Sequence, residues 1–288
     1  MRTRAAALLV SLLVATVPAV VAVGVVGVVG VVGVVGVVAV SPADARPASS
    51  RGDGHGAHPD TELVGQFDLP RLRTRQVHLS IDRWGYRFQG GGTGNDLTIT
   101  EVGGGLRYVD RAARGWKALP STCRTIQVPR GVGAQCRIPA RFRDGRMFLE
   151  VWPRLGDDRV DGTTLSSRFR MWVLTDAGDD SIRMGAGADF ANGAFDDDTI
   201  SGGGGADWVR AGIGRNRVSG GAGDDELAGG DDRDTIAGGP GRDQVFGGKG
   251  DDVLRGDADP DTIGGGPGRD TAVRDASDKV FDCEAVRS

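Results

Sequence analysis

The chain has 288 residues, a formal net charge of −4, and composition in which 49 residues are glycine and only 6% aromatic. Its charge is uneven: residues 46–174 carry a net +8 and residues 175–273 a net −12. Mild overall acidity argues against a nucleic-acid partner, and the length allows two modules beyond a leader.

Arg2 and Arg4 precede an apolar run from Ala5 to Val40, lengthened by tandem Gly-Val-Val units. Ala43-Asp44-Ala45 then offers a small-x-small cleavage site. Residues 1–45 therefore read as a signal peptide or, uncleaved, as a membrane anchor long enough to span a bilayer. Either way the positive charges stay inside and the rest of the chain is exported. Residues 46–75 read as a flexible linker, rich in Pro, Gly and charge. Arg51-Gly52-Asp53 is a triplet common by chance. His55 and His58 lie beside Asp53 and Asp60 without a scaffold to fix them.

From Val77 the pattern alternates: Val77-Leu79-Ile81, Leu97-Ile99 and Met147-Leu149-Val151. Period two with glycine turns predicts a small antiparallel β module over 76–160. Cys123 and Cys136 fall in this β-rich part of an exported chain, so a disulfide is expected, leaving Cys283 free or linking two chains. An apolar core and that link would make the module independent of calcium. Two segments mimic the repeat described below: Gly91-Gly92-Thr93-Gly94-Asn95-Asp96 and Gly156-Asp157-Asp158-Arg159-Val160. Residues 161–174 read as a connecting strand whose Phe169, Met171 and Val173 would cover the open end of the next domain.

Over 175–273 one position recurs every nine residues: Asp180, Asp189, Asp198, Asp207, Asn216, Asp225, Asp234, Asp243, Asp252, Asp261 and Asp270. Two residues after each stands an apolar side chain, Ile182 through Ala272. Glycine dominates positions one, two and four of each row, where the turn needs positive φ or close approach. At position four Asp196, Asp232 and Asp259 replace glycine, and Asp tolerates the left-handed region. A disordered Gly/Asp-rich linker would not place an aliphatic at a fixed offset eleven times. No single row can bury its apolar residue alone, so rows must stack, two per turn. Alternate rows would then form two columns of carboxylates about 4.8 Å apart, whose repulsion calls for cations. Carboxylates and turn carbonyls are hard oxygen ligands suited to Ca²⁺. The eleven rows make nine same-edge pairs.

Gly220-Gly221-Ala222-Gly223-Asp224-Asp225-Glu226-Leu227-Ala228 and Gly238-Gly239-Pro240-Gly241-Arg242-Asp243-Gln244-Val245-Phe246 resemble the RTX, or haemolysin-type, nonapeptide repeat GGxGxDxUx. That resemblance implies a right-handed parallel β-roll in a secreted bacterial protein, with multiple Ca²⁺ held between successive turns. Residues 274–288 read as a C-terminal cap. RTX proteins commonly carry a C-terminal secretion signal and no leader, whereas this chain carries a leader, which favours the general secretory route.

The function expected is a secreted calcium-binding β-roll with a structural, cell-surface or interaction role, folding on extracellular Ca²⁺ and catalysing nothing. Calcium is the expected partner, with cell-wall or surface polymers facing the basic segment. No membrane-active stretch lies in the mature chain, which argues against a cytolytic toxin. The alternative is a secreted hydrolase whose roll aids folding. HExxH and GxSxG are absent, so it would have to use Glu101, Asp110 or Glu150, the acids on or beside module strands.

Overall fold

The computed structural model describes residues 72–143 and 146–288. The leader and nearly all of the linker lie outside the described residues. What is described is all-β apart from one short 3₁₀ turn at Ala140–Phe142.

Seven strands come first: β1 (Gln76–Ile81), β2 (Gly85–Gln89), β3 (Asp96–Val102), β4 (Gly105–Asp110), β5 (Gly115–Ala118), β6 (Cys123–Ile126) and β7 (Val132–Arg137). Next come β8 (Met147–Arg154), β9 (Arg159–Asp161), β10 (Phe169–Thr175) and β11 (Ser181–Arg183). The repeats then supply one strand per row: β12 (Phe190–Phe195), β13 (Thr199–Gly204), β14 (Trp208–Ile213), β15 (Arg217–Ala222) and β16 (Glu226–Asp231). They continue with β17 (Thr235–Pro240), β18 (Gln244–Lys249), β19 (Val253–Ala258), β20 (Thr262–Gly264) and β21 (Thr271–Val273). β22 (Lys279–Phe281) and β23 (Ala285–Arg287) end the chain.

These strands form two sheets. One runs β22-β20-β18-β16-β14-β12-β10-β8-β2-β1-β5, the other β23-β21-β19-β17-β15-β13-β11-β9-β3-β4-β7-β6. From β8 onward every strand pairs in parallel with the strand two places later, so the chain coils with one strand per sheet in each turn. This is the β-solenoid the period of nine requires. Antiparallel pairs occur only at the amino-terminal side: β1 with β2, β3 with β4, and β7 with both β4 and β6.

Strand register aligns the apolar position of every row. In one sheet Ile182, Ile200, Val218, Ile236, Leu254 and Ala272 pair in succession. In the other Ala191, Val209, Leu227, Val245 and Ile263 do so. All are at most 4% exposed. Burying one of the Val, Leu or Ile side chains contributes roughly 1.5–3 kcal/mol.

Both ladders run on into the amino-terminal strands without a break. Ile182 pairs with Val160 and Val160 with Leu97; Ala191 pairs with Val173, Val173 with Val151, and Val151 with Phe88. Strand β10 thus lies inside its sheet between β8 and β12, and does not close its end. Phe169, Met171 and Val173 are core residues for that reason. The sheets end instead at β5 and β6. There Cys123 and Cys136, directly opposed on β6 and β7, form a disulfide with Cα atoms 4.0 Å apart. Cys283 is unpaired with another cysteine and half-buried near the last strands.

Candidate metal centre

Each row turns on backbone geometry that few residues tolerate. At position four Asp196, Asp232 and Asp259 take φ of 76°, 75° and 79°, beside Gly223 at 135° and Gly241 at 138°. Aspartate stands there because it is among the few side chains that accept the left-handed region. Position one is closed for a different reason. A Cβ on Gly220 would come within 2.3 Å of Asp225 Oδ2 and 2.7 Å of the Gly238 carbonyl oxygen. The column carboxylate and a carbonyl from the row stacked on it both press on that glycine.

The eleven sequence-predicted residues sit where each turn passes into its strand, and none is more than 2% exposed. They form two columns linked by one repeated hydrogen bond. The backbone N–H of each residue donates to Oδ1 of the one 18 positions later. Along the first edge Asp180 donates to Asp198 (2.9 Å), Asp198 to Asn216 (2.9 Å), Asn216 to Asp234 (2.9 Å), Asp234 to Asp252 (2.7 Å) and Asp252 to Asp270 (2.9 Å). Along the second edge Asp189 donates to Asp207 (2.8 Å), Asp207 to Asp225 (2.7 Å), Asp225 to Asp243 (2.9 Å) and Asp243 to Asp261 (2.8 Å).

That bond employs one carboxylate oxygen. The other, Oδ2, is buried without a hydrogen-bond partner at Asp180, Asp198, Asp207, Asp225, Asp234, Asp243, Asp252, Asp261 and Asp270. Only Asp189, which also accepts the Gly185 N–H at 3.1 Å, and Asn216 escape this among the eleven. A buried carboxylate oxygen with no partner is costly, and burial drives these groups toward the neutral form. Burial raises Asp207 to about 9, Asp198 to about 8, and Asp180, Asp189, Asp225, Asp234 and Asp243 to about 7. Neighbouring column carboxylates add to the rise at Asp198, Asp207 and Asp243. Asp252 and Asp261 reach about 6.

Unsatisfied oxygens stacked in two columns beside turn carbonyls match a hard divalent cation. Among the described residues no three His, Cys, Asp or Glu side chains converge on one point. A cation here would be held by carboxylates of stacked rows together with backbone carbonyls. Ionised carboxylates in that setting need a positive charge between them, and Ca²⁺ supplies it when bound.

A family model of the RTX calcium-binding nonapeptide repeat matches residues 174–209, 185–218, 201–236, 210–245 and 237–272. Residues 174–272 are RTX calcium-binding repeats. No curated protein and no solved structure matches the chain. The RTX segment makes this a calcium-binding β-roll protein, and its repeats are of a kind typical of secreted bacterial proteins.

The columns are longer than the RTX repeats. On the first edge Asp158 donates its N–H to Asp180 Oδ1 at 2.7 Å, and Asn95 donates to Asp158 Oδ1. Asn95, not Asp96, therefore holds the column position of the earlier mimic. At the far end Asp270 donates to Glu284 Oε2 (2.6 Å) and Asp261 to Asp278 Oδ1 (3.1 Å). The spacing hides these residues. Asp158 precedes Asp180 by 22 residues and Asp278 follows Asp261 by 17, so a strict period of nine passes over both. The fragment Gly156-Asp157-Asp158-Arg159-Val160 was the visible signal for the first.

The three acids considered for hydrolysis have other work. Glu150 is paired with Arg87, and Asp110 accepts from Asn95 Nδ2 and from the N–H groups of Ala112 and Ala113. Glu101 lies on β3, in the other sheet from Glu150 on β8, and accepts the Ser166 N–H at 3.3 Å.

Proposed function

We propose that this is an exported protein whose RTX roll folds on extracellular calcium and serves a structural, cell-surface or interaction role without chemistry of its own. The calcium ligands would be Asp180, Asp189, Asp198, Asp207, Asn216, Asp225, Asp234, Asp243, Asp252, Asp261 and Asp270, each working with turn carbonyls. Nine buried, unpartnered Oδ2 atoms at one repeated position carry this reading. Extracellular calcium modules bind in the range of about 0.1–1 mM, which suits conditions outside a cell. The leader-like Arg2, Arg4 and apolar run support export, and the net +8 of residues 46–174 supports contact with anionic surface polymers. The hydrolase alternative is disfavoured because Asp110 and Glu150 are held by other groups in different parts of the fold.

Equilibrium dialysis against calcium tests the reading. Several ions per chain should bind in the millimolar range or tighter, with magnesium a poor competitor because its octahedral demand does not suit these turns. A chain that binds no calcium at 10 mM, a concentration about tenfold above that range, would refute it.

A further inference from the structure

The first-edge column enters a segment that the RTX match does not reach. Residues 153–161 form one more row of the coil. Arg154, at position two, has a φ of 82°, and Gly156, at position four, a φ of 100°. In the repeats those two positions also take positive φ, as at Gly221 (112°) and Gly223 (135°). Val160 fills the inward position, paired with Leu97 on one side and Ile182 on the other. A Cβ on Gly178 would meet the Gly156 carbonyl carbon at 2.5 Å, just as one on Gly223 would meet that of Gly205 at 2.5 Å. The turns stack alike.

Asp158 occupies the column position of this row and is 2% exposed. Its Oδ1 accepts the Asn95 N–H, while its Oδ2 is buried without a partner, as is Oδ2 of Asp180. Asp110, Asp157 and Asp176 stand around the pair. Against these five carboxylates, Arg154 faces Asp176 and Arg159 lies 3.8 Å from Asp161. The column stops one row earlier. Asn95 is neutral, and its Nδ2 donates to Asp110, whose oxygens are both in use.

We propose that Asp158 and Asp180 hold one further calcium ion, outside the RTX repeats, at the seam between the amino-terminal strands and the roll. This rests on the calcium reading of the columns. The ion ties β9 and β3 to β11, so order in the amino-terminal strands becomes calcium-linked. The expectation of a calcium-independent module fails on this account, because the sheets offer no boundary at which the linkage could stop.

The test compares the full chain with Asp158→Asn, in which Oδ1 still accepts the Asn95 N–H. Bound calcium is counted by equilibrium dialysis, and amide exchange is followed by mass spectrometry with calcium and with chelator. Asp158→Asn should weaken this site by about tenfold, as asparagine does at position 216, so that one ion fewer is bound at the calcium concentration that just fills the unsubstituted chain. At that concentration calcium-dependent protection should fall in peptides covering 147–161 and remain over 199–258. Unchanged stoichiometry and unchanged protection in the variant would overturn the proposal while leaving the roll's calcium binding intact. A wild-type chain that binds no calcium would overturn both. The unsubstituted chain gives a second readout, should the variant fail to fold. Protection over 147–161 must rise on adding calcium, and exchange there that ignores calcium while 199–258 responds would overturn the proposal.

Discussion

At Asn216 the side-chain Nδ2 donates to the Gly214 carbonyl oxygen at 3.0 Å. The corresponding atom in nine of the column aspartates is an oxygen with no partner. Asparagine thus satisfies with its own amide what the other rows leave to a cation, and it brings no charge. Affinity in such sites follows the count of charged ligands. Asn216→Asp should therefore tighten calcium binding by about tenfold at the sites it shares with Asp198 and Asp234, equivalent to ~1.4 kcal/mol. Asp234→Ala should weaken binding and loosen the adjoining turns. A calcium titration of the three proteins checks both, and equal affinities would speak against stacked-row sites. The same carboxyls set the pH response. Their folded-state values of about 6 to about 9 lie above the ordinary aspartate value of 3.8. Without metal, the stability they contribute is complete below pH 3.8 and is lost as pH rises through the folded values. In chelator the β signal in circular dichroism should be stronger near pH 5 than near pH 8. With calcium the order should reverse, because protons then compete with the ion.

A row of nine is the element of this fold, and much of it is legible in the chain. The aspartate and the aliphatic two places on fix which residues face the turn and which the core, since alternation leaves one inward side chain per short strand. Two-row stacking follows because one row cannot bury its own apolar residue. What the period could not reveal are the rows that keep the geometry and break the spacing. Row 153–161 has Pro153, Arg154 and Leu155 where the repeat has glycine or a variable residue, and a longer connection follows it. Backbone shape and the inward Val160 preserve the row when the spelling does not. In the earlier mimic, strand register selects Asn95 by setting Leu97 opposite Val160, one place off the spelled motif. Within the ladder, Ile236 is fully buried between Val218 and Leu254. Ile236→Ala should cost about 2–5 kcal/mol of stability in saturating calcium, measured by denaturant unfolding. At the opposite end, replacing Cys123 and Cys136 by serine should cost roughly 3 kcal/mol, because the bond closes a short loop. Such a change should lower the thermal midpoint and leave calcium stoichiometry untouched.

At the scale of the whole molecule, two sheets share one continuous core from Val77 to Ala272, and the acidic charge lies along the edges of the coil. Exposed ion pairs temper that charge locally, Arg215 with Asp197 at 3.3 Å and Arg233 with Asp251 at 3.5 Å. Pairs so open to water add about 0–1 kcal/mol each, and with every Arg and Lys counted residues 175–273 still carry a net −12. Cohesion of the roll therefore depends on the cation. Far-UV circular dichroism of the chain at pH 7.5, titrated from chelator into calcium, measures it most directly. A large, cooperative gain of β signal is predicted as calcium passes through the range of about 0.1–1 mM. A spectrum already fully β in chelator and unchanged by calcium would contradict it.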